Sequence, residues 1–245
     1  QVLTNDINKV TPYNSEATKK SQVEDMFDNI APKYDLLNHA LSMKIDVLWR
    51  NKLVRMMKED APQEVLDVAT GTGDLAIAVE KGTNAKVVGL DLSQQMLNVG
   101  VIKIKKLNLD GKISMQKGDA ENLPFEDNRY DAVSVAFGVR NFENLTKGLS
   151  ELRRVVKENK SVYILEFSKV EGFLGPFYMF YFKNILPAIG RLVSKDNRAY
   201  TYLPDSVNAF PFGEKMRQIL LDTGFKKVEY IKLSLGIATI YKATK

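Results

Sequence analysis

Carboxylates stand on both sides of the chain's one glycine-rich turn and at the ends of the two apolar runs after it. Asp67 and Asp74 flank Ala69-Thr70-Gly71-Thr72-Gly73, Asp91 ends the next run, and Asp119 ends the one after that. The turn Gly71-x-Gly73-x-x-Ala76 fits the dinucleotide fingerprint, in which a helix N-terminus holds a pyrophosphate. Here the helix opens with Asp74, which repels phosphate. Acids at several strand ends suit a small molecule of net positive charge. S-adenosylmethionine, with a sulfonium and an ammonium against one carboxylate, is such a molecule, so the pattern favours a methyl donor over NAD. Taken singly, each aspartate also fits a plain helix or turn cap.

Spacing sharpens the reading. Asp91 lies 18 residues after Gly73, near the offset of about 20 at which an acid reaches ribose hydroxyls. Gly118-Asp119-Ala120 offers a further carboxylate where an adenine amino group could be read. These residues need a scaffold, and short β-branched runs supply one: 64–69, 86–90, 113–117, 132–137 and 161–167, alternating with helical stretches 75–81, 93–107 and 145–157. Ser93 is placed to cap the second helix. Two or three helices precede the first strand. A helix over 212–223 and two strands near 226–233 and 236–242 close the chain, the last pair as an antiparallel hairpin. The expected fold is α/β, a doubly wound, mostly parallel seven-stranded sheet with N-terminal helices, a helical lid insertion and a C-terminal hairpin.

With 245 residues, 44% of them hydrophobic and 27% charged, the chain can bury one sizeable core. Residues 1–20 are polar, without the apolar core of a secretion signal, and read as a disordered leader; 21–245 reads as a single domain. The absence of cysteine excludes thiol nucleophiles and thiolate zinc sites and fits a reducing cytoplasm, and a single histidine, His39, counts against a His-built metal site. No metal is expected. A net charge of +5 without a long basic block does not point to nucleic acid.

Longer motifs carry a resemblance. Residues 65–74, Val-Leu-Asp-Val-Ala-Thr-Gly-Thr-Gly-Asp, resemble the first motif of class I S-adenosylmethionine-dependent methyltransferases. More specific are 118–125, Gly-Asp-Ala-Glu-Asn-Leu-Pro-Phe, then 136–141, Ala-Phe-Gly-Val-Arg-Asn, and 165–168, Leu-Glu-Phe-Ser. With 26–38 and 200–207 they resemble the ubiquinone/menaquinone biosynthesis C-methyltransferases, from about Val23 to the C-terminus. The resemblance implies a Rossmann-like fold, S-adenosylmethionine as methyl donor and methylation of a ring carbon of a demethylated polyprenyl quinol, demethylmenaquinol before a benzoquinol of the ubiquinone pathway. It implies cofactor contacts at Thr72, Asp91, Asp119, Ala120 and Ala136, and with the turn residues the expected cofactor set is Asp67, Thr70, Gly71, Thr72, Gly73, Asp91, Leu92, Asp119, Ala120 and Ala136, with Thr70 standing where the family often has glycine. Other small phenols or sterols, an NAD-dependent dehydrogenase and a binding module without turnover are the rival readings.

Methyl transfer from a sulfonium depends on in-line placement more than on acid catalysis. A ring carbon is a weak nucleophile unless its hydroxyl ionises, and a phenol with a pKa near 10 needs help at neutral pH. Arg140, after the fourth strand, is the candidate cation for that phenolate; its alternative is an ordinary ion pair with a helix acid. Tyr34, Asp35, Asn141, Tyr202 and Asp205 are candidates for orientation or acid/base work, and Glu166 ends the fifth strand. The stretch 172–193 is crowded with aromatics but interrupted by Pro176, Lys183, Pro187 and Arg191, so it does not span a membrane. Within an insertion at about 168–210 it reads as a lid meeting anionic lipid transiently, which would make the chain a peripheral protein at the inner membrane face. Packing on its own domain or a homodimer contact is the alternative for the same stretch.

Overall fold

The computed structural model describes residues 9–13, 15–36, 42, 44–170 and 198–245. Helix α1 (Lys19–Ile30) opens on a Thr18 cap, whose Oγ1 accepts the Ser21 N–H at 3.2 Å, and buries Val23, Met26 and Ile30. It therefore begins inside the stretch read as a leader: Lys19 and Lys20 belong to the helix, and Lys19 is buried. A 3-10 turn through Pro32 follows, and then α2 (Ile45–Glu59) buries Trp49, Leu53, Val54 and Met57.

The alternating units are β1 (Glu64–Val68), α3 (Asp74–Thr83), β2 (Lys86–Asp91), α4 (Gln94–Lys106), β3 (Ile113–Lys117), β4 (Tyr130–Ala136), α5 (Leu145–Val155) and β5 (Val156–Phe167). After them come α6 (Arg198–Ala209), α7 (Glu214–Asp222), β6 (Lys227–Leu233) and β7 (Ala238–Thr244). One seven-stranded sheet runs β3-β2-β1-β4-β5-β7-β6, with β7 antiparallel to both neighbours and β1 to β5 parallel. The fold class and the terminal hairpin are as expected. The stretch 171–197, most of the expected lid, and His39 lie outside the described residues.

Successive residues of each strand face opposite layers, and both layers are apolar, as parallel strands covered on two sides require. Leu66, Val68, Val133 and Val135 pack under α5 and α7 through Leu149, Leu152, Met216 and Leu220. Val65, Val87, Ala132 and Leu165 pack under α2 and α3 through Leu53, Met57, Ala76 and Val79. Strand β5 starts five residues before the expected Ser161, because the polar run 157–160 is held at the sheet's lower end: Tyr130 pairs with Val156, and Asn159 and Lys245 exchange backbone bonds with Lys245 and Lys160 at 3.1 and 3.0 Å.

Candidate active site

Strand order reverses between β1 and β4, which opens the crevice beyond their carboxyl ends. The chain leaves β1 through Ala69 at φ 53°, turns through Gly71 at φ 57°, and enters α3 from Gly73 at φ 82°. Left-handed backbone is why glycine serves at the last two. The Thr70 N–H donates to the Leu90 carbonyl at 3.0 Å, its Oγ1 donates to Asp67 Oδ2 at 2.6 Å, and Ser134 Oγ donates to Asp67 Oδ1 at 2.7 Å. Asp67 is thus a fully buried brace joining β1, the turn and β4.

Asp91 is held differently. The Gly71 N–H donates to its Oδ2 at 2.7 Å and the Ser93 N–H to its Oδ1 at 2.9 Å. Each oxygen keeps lone-pair capacity for a further donor. Burial raises both Asp67 and Asp91 from the ordinary 3.8 to about 6, against the pull of these hydrogen bonds. Asp91 lines a cavity of about 700 Å³, counting its open mouth, together with Gly71, Leu92, Asp119, Ala120 and Ala136. Six of the ten expected cofactor residues therefore meet in one place.

The other four serve the turn from behind. Thr72 Oγ1 donates to Asp35 Oδ1 at 2.5 Å and accepts from Lys103 Nζ at 3.1 Å; Lys103 also reaches Asp35 at 2.7 Å and Asp74 at 2.5 Å. Arg50 completes the network, 3.3 Å from Asp74 and 2.5 Å from Asp46. Asp74 is neutralised by its neighbours and is not among the cavity's lining residues. The expected ring of four acids thus reduces to two, Asp91 and Asp119. Lys20 faces Asp119 across the mouth at 2.6 Å.

Tyr34, beside Gly71, and Asn141, after β4, also line the cavity. Tyr202, on α6, donates its hydroxyl to Asn141 Oδ1 at 3.1 Å, and burial raises its phenol far above the ordinary range, so it orients Asn141 rather than acting as a base. Arg140 is buried and not among the lining residues. Its Nη1 donates to Glu166 Oε1 at 2.8 Å and to the Phe137 carbonyl at 2.5 Å, while its backbone N–H meets Glu166 Oε2 at 3.3 Å. The ion-pair alternative holds for Arg140, with a strand acid in place of a helix acid. Among the described residues no hydrogen-bond partner meets the buried Arg140 Nε. Asp205 sits on the exposed side of α6, in a separate shallow depression beside Lys9 and Thr11, away from the cavity. Lys20, Phe27, Phe137, Phe142, Glu121 and Glu143 on the cavity wall, and Lys103 behind the turn, are among the residues that sequence reasoning missed. Two are lysines in stretches rich in lysine, and Phe137 was marked only as part of the 136–141 motif.

Residues 15–245 match the model of the ubiE/COQ5 methyltransferase family. The chain belongs to that family. It is 48% identical over 239 residues to a demethylmenaquinone methyltransferase of Bacteroides fragilis, covering 97% of this chain and 98% of that one. A demethylmenaquinone methyltransferase of Porphyromonas gingivalis is 45% identical over 242 residues, covering 97% and 98%. The ubiquinone/menaquinone biosynthesis C-methyltransferase UbiE of Geotalea daltonii is 42% identical over 230, covering 93% and 97%. Among solved structures, a SAM dependent methyltransferase from Aquifex aeolicus aligns with a TM-score of 0.55 at 23% identity over 74% of this chain and 81% of that one. The [4+2]-cyclase SpnF aligns with 0.67 at 15% over 92% and 96%. These two likenesses speak for the fold alone, and the cyclase shows why function must be argued from the site.

A ubiE/COQ5 member is an S-adenosylmethionine-dependent C-methyltransferase, and the cavity fits that cofactor. A Cβ on Gly138 would lie 2.5 Å from Ala69 Cβ, so the segments leaving β1 and β4 pack too closely on each other for a side chain at that position. An oriented carboxylate at Asp91 suits paired hydroxyls. Gly71 brings backbone to the cavity without a side chain.

Proposed function

We propose that this chain methylates a ring carbon of a demethylated polyprenyl quinol, demethylmenaquinol first among them. Near-complete coverage of demethylmenaquinone methyltransferases at 45–48% identity supports the acceptor class. The observation that carries the reading is the mixed lining of one cavity, in which the carboxylates of Asp91 and Asp119 and the backbone of Gly71 share the wall with Phe27, Tyr34, Phe142 and Asn141.

When bound, S-adenosylmethionine supplies the electrophilic methyl group. Asp91 and the Gly71 turn would hold its ribose, and Asp119, Leu92 and Ala120 would meet its base. Asn141, fixed by Tyr202, orients an acceptor hydroxyl. Arg140 is neutralised by Glu166, so its help to a phenolate is smaller than that of a bare cation. Its main work is to pin the 137–141 turn that carries Asn141. Helix α1 contributes Val23 and Phe27 to the cavity wall and so limits water at the reacting centre.

Among the described residues no helix is long and apolar enough to cross a membrane. On this reading the chain meets the bilayer surface transiently while the prenyl tail stays in lipid, which flotation with anionic vesicles tests. The function itself is tested by incubating the chain with S-adenosylmethionine and short-chain demethylated naphthoquinol or benzoquinol under reducing conditions, and reading methylated product by mass spectrometry. Turnover of the naphthoquinol is expected; no product from any quinol rejects the reading.

A further inference from the structure

The most exposed large apolar side chains among the described residues are Leu235 at 80%, Ile102 at 69%, and Leu36 and Leu48 at 66% each. A single exposed leucine is ordinary on a protein surface. All but Ile102, however, share one end of the sheet. The Leu235 turn joins β6 to β7 beside Phe167, the last residue of β5, which pairs with Ala238. Leu48 precedes Trp49, whose ring packs on Phe137 and Phe167 at 6.2 and 6.1 Å between centroids. Leu36 follows Asp35, which accepts the Thr72 hydroxyl behind the glycine turn. The three leucines thus form a rim at the carboxyl ends of the parallel strands, the end at which the cavity lies.

Backbone and charge both set this rim apart. Ser234 and Leu235 are left-handed at φ 46° and 59°, just before Gly236 at 93°. Residues with a side chain stay in that region only when their surroundings hold them, and such residues cluster at working sites. Here the Trp49 indole N–H donates to Ser234 Oγ at 2.9 Å and ties the Leu235 turn to the helix that carries Leu48. The strained turn presents a leucine to water instead of to the core. Within four positions of the three leucines stand the exposed lysines Lys33, Lys44, Lys52 and Lys232, and the acids there are Asp35 and Asp46. Both acids are paired, Asp35 with Lys103 at 2.7 Å and Asp46 with Arg50 at 2.5 Å. Apolar tips with a basic fringe complement an anionic lipid surface, where leucines enter the acyl boundary and ammonium groups stay among the headgroups.

We propose that the rim of Leu36, Leu48 and Leu235, with its flanking lysines, is the face on which this chain rests on an anionic bilayer. The proposal rests on the quinol reading and deepens it, since a polyprenyl acceptor comes from lipid and the rim stands at the cavity's end of the molecule.

The test floats the full chain, without quinol, on vesicles of phosphatidylcholine alone or mixed with phosphatidylglycerol, and compares the unaltered chain with Leu48→Gln/Leu235→Asn and with Lys52→Glu. Glutamine suits a helix surface and asparagine tolerates left-handed backbone, so the double variant should keep its melting temperature and its affinity for S-adenosylhomocysteine. The unaltered chain should bind the mixed vesicles, the double variant roughly tenfold more weakly and Lys52→Glu roughly fivefold more weakly. Turnover of a short-chain quinol in solution should be unchanged in both variants, while turnover of a long-chain quinol held in mixed vesicles falls with binding. Should the double variant melt early, Lys52→Glu decides alone. Equal vesicle binding by the unaltered chain and the folded variants, binding that ignores phosphatidylglycerol, or no binding by the unaltered chain would overturn the proposal. A dimer in sedimentation that the double variant splits would assign the rim to a second copy and overturn it as well. Absence of product from any quinol would reject the quinol reading and leave the vesicle measurements to judge the rim.

Discussion

Acids stand at strand ends on both sides of the switch point, and the two sides use them in opposite ways. On the β1–β2–β3 side Asp91 is held by backbone N–H groups alone and faces the cavity. On the β4–β5 side Glu166 is almost wholly enclosed and committed to Arg140 and to the Phe167 N–H at 2.9 Å. Asp67, one strand from Asp91 and equally raised by burial, gives its oxygens to Thr70 and Ser134 and braces the turn. Position at a strand tip thus brings an acid near the ligand, but facing the cavity decides whether it can receive one: Asp91 lines it, and Asp67 and Glu166 do not.

Removing Glu166 should break the acceptor side hardest. Glu166→Ala leaves the Arg140 guanidinium buried without its counter-charge, a change that costs about 3–5 kcal/mol of stability in such settings. Urea unfolding reads it, and a loss below about 1 kcal/mol would show that the pair is not enclosed. On the cofactor side, Asp91→Ala should weaken S-adenosylhomocysteine by about 1.5–3 kcal/mol, the range for hydrogen bonds to a charged group. Asp67→Ala should instead lower stability by about 1–3 kcal/mol, through the Thr70 and Ser134 hydroxyls left unpaired. Affinity losses of equal size in the two variants would erase the distinction between them.

Acidity sharpens the same contrast. Asp91 and Asp67 titrate at about 6 in the fold against the ordinary 3.8. A raised carboxyl pKa means that the folded chain binds protons more readily than the unfolded one. The contribution of these groups to stability is therefore full below about pH 4 and is lost as pH rises through about 6. Cofactor binding runs the other way, since only ionised Asp91 accepts two hydroxyls. Affinity for S-adenosylhomocysteine should rise with pH up to about 6 and level above it, by at most about tenfold per unit. The rise in Tm on adding it should therefore be larger at pH 8 than at pH 5, and Asp91→Asn should flatten the difference. A ligand-induced shift independent of pH in the unaltered chain would remove Asp91's titration from the site.

Local chemistry was legible in the sequence and long-range pairing was not. Strand β3 runs over the expected 113–117, and Ser93 caps α4 as expected, its Oγ accepting the Met96 N–H at 3.1 Å. Both follow from residue types a few positions apart. The glycine turn and its offset to Asp91 were readable for the same reason. Arg140 was expected to face the acceptor, but its partner stands 26 residues later on the next strand, and Lys103 reaches Asp74 across 29 positions. No periodicity encodes such a pair; it exists only once β4 lies beside β5 and α4 beside α3. Phe137 stood out only within its motif for another reason, because its left-handed backbone at a non-glycine residue is imposed by the Leu165 and Arg140 contacts around it. Asp205 was a candidate alongside Tyr202, yet Tyr202 is buried and Asp205 faces out.

The smallest effect tests whether the cofactor side is open in the form described. Both oxygens of Asp119 are in use: Oδ1 accepts the Glu121 N–H at 2.9 Å and Oδ2 the Lys20 ammonium at 2.6 Å. An adenine amino group would therefore share the Asp119 carboxylate with the Lys20 ammonium. Helix α1 does not depend on that lysine alone, since Glu24 pairs with Lys117 at 2.7 Å and Asp28 accepts Ser93 Oγ at 2.5 Å. Lys20→Gln should leave the helix in place and free one carboxylate oxygen. The Lys20 and Asp119 side chains are each about 30% exposed, which puts the pair among those worth about 1 kcal/mol or less. Affinity for S-adenosylhomocysteine should accordingly rise by no more than about fivefold, with faster association. A fall in affinity instead would mean that Lys20 closes α1 over the bound nucleoside, and that Asp119 serves the helix before the base.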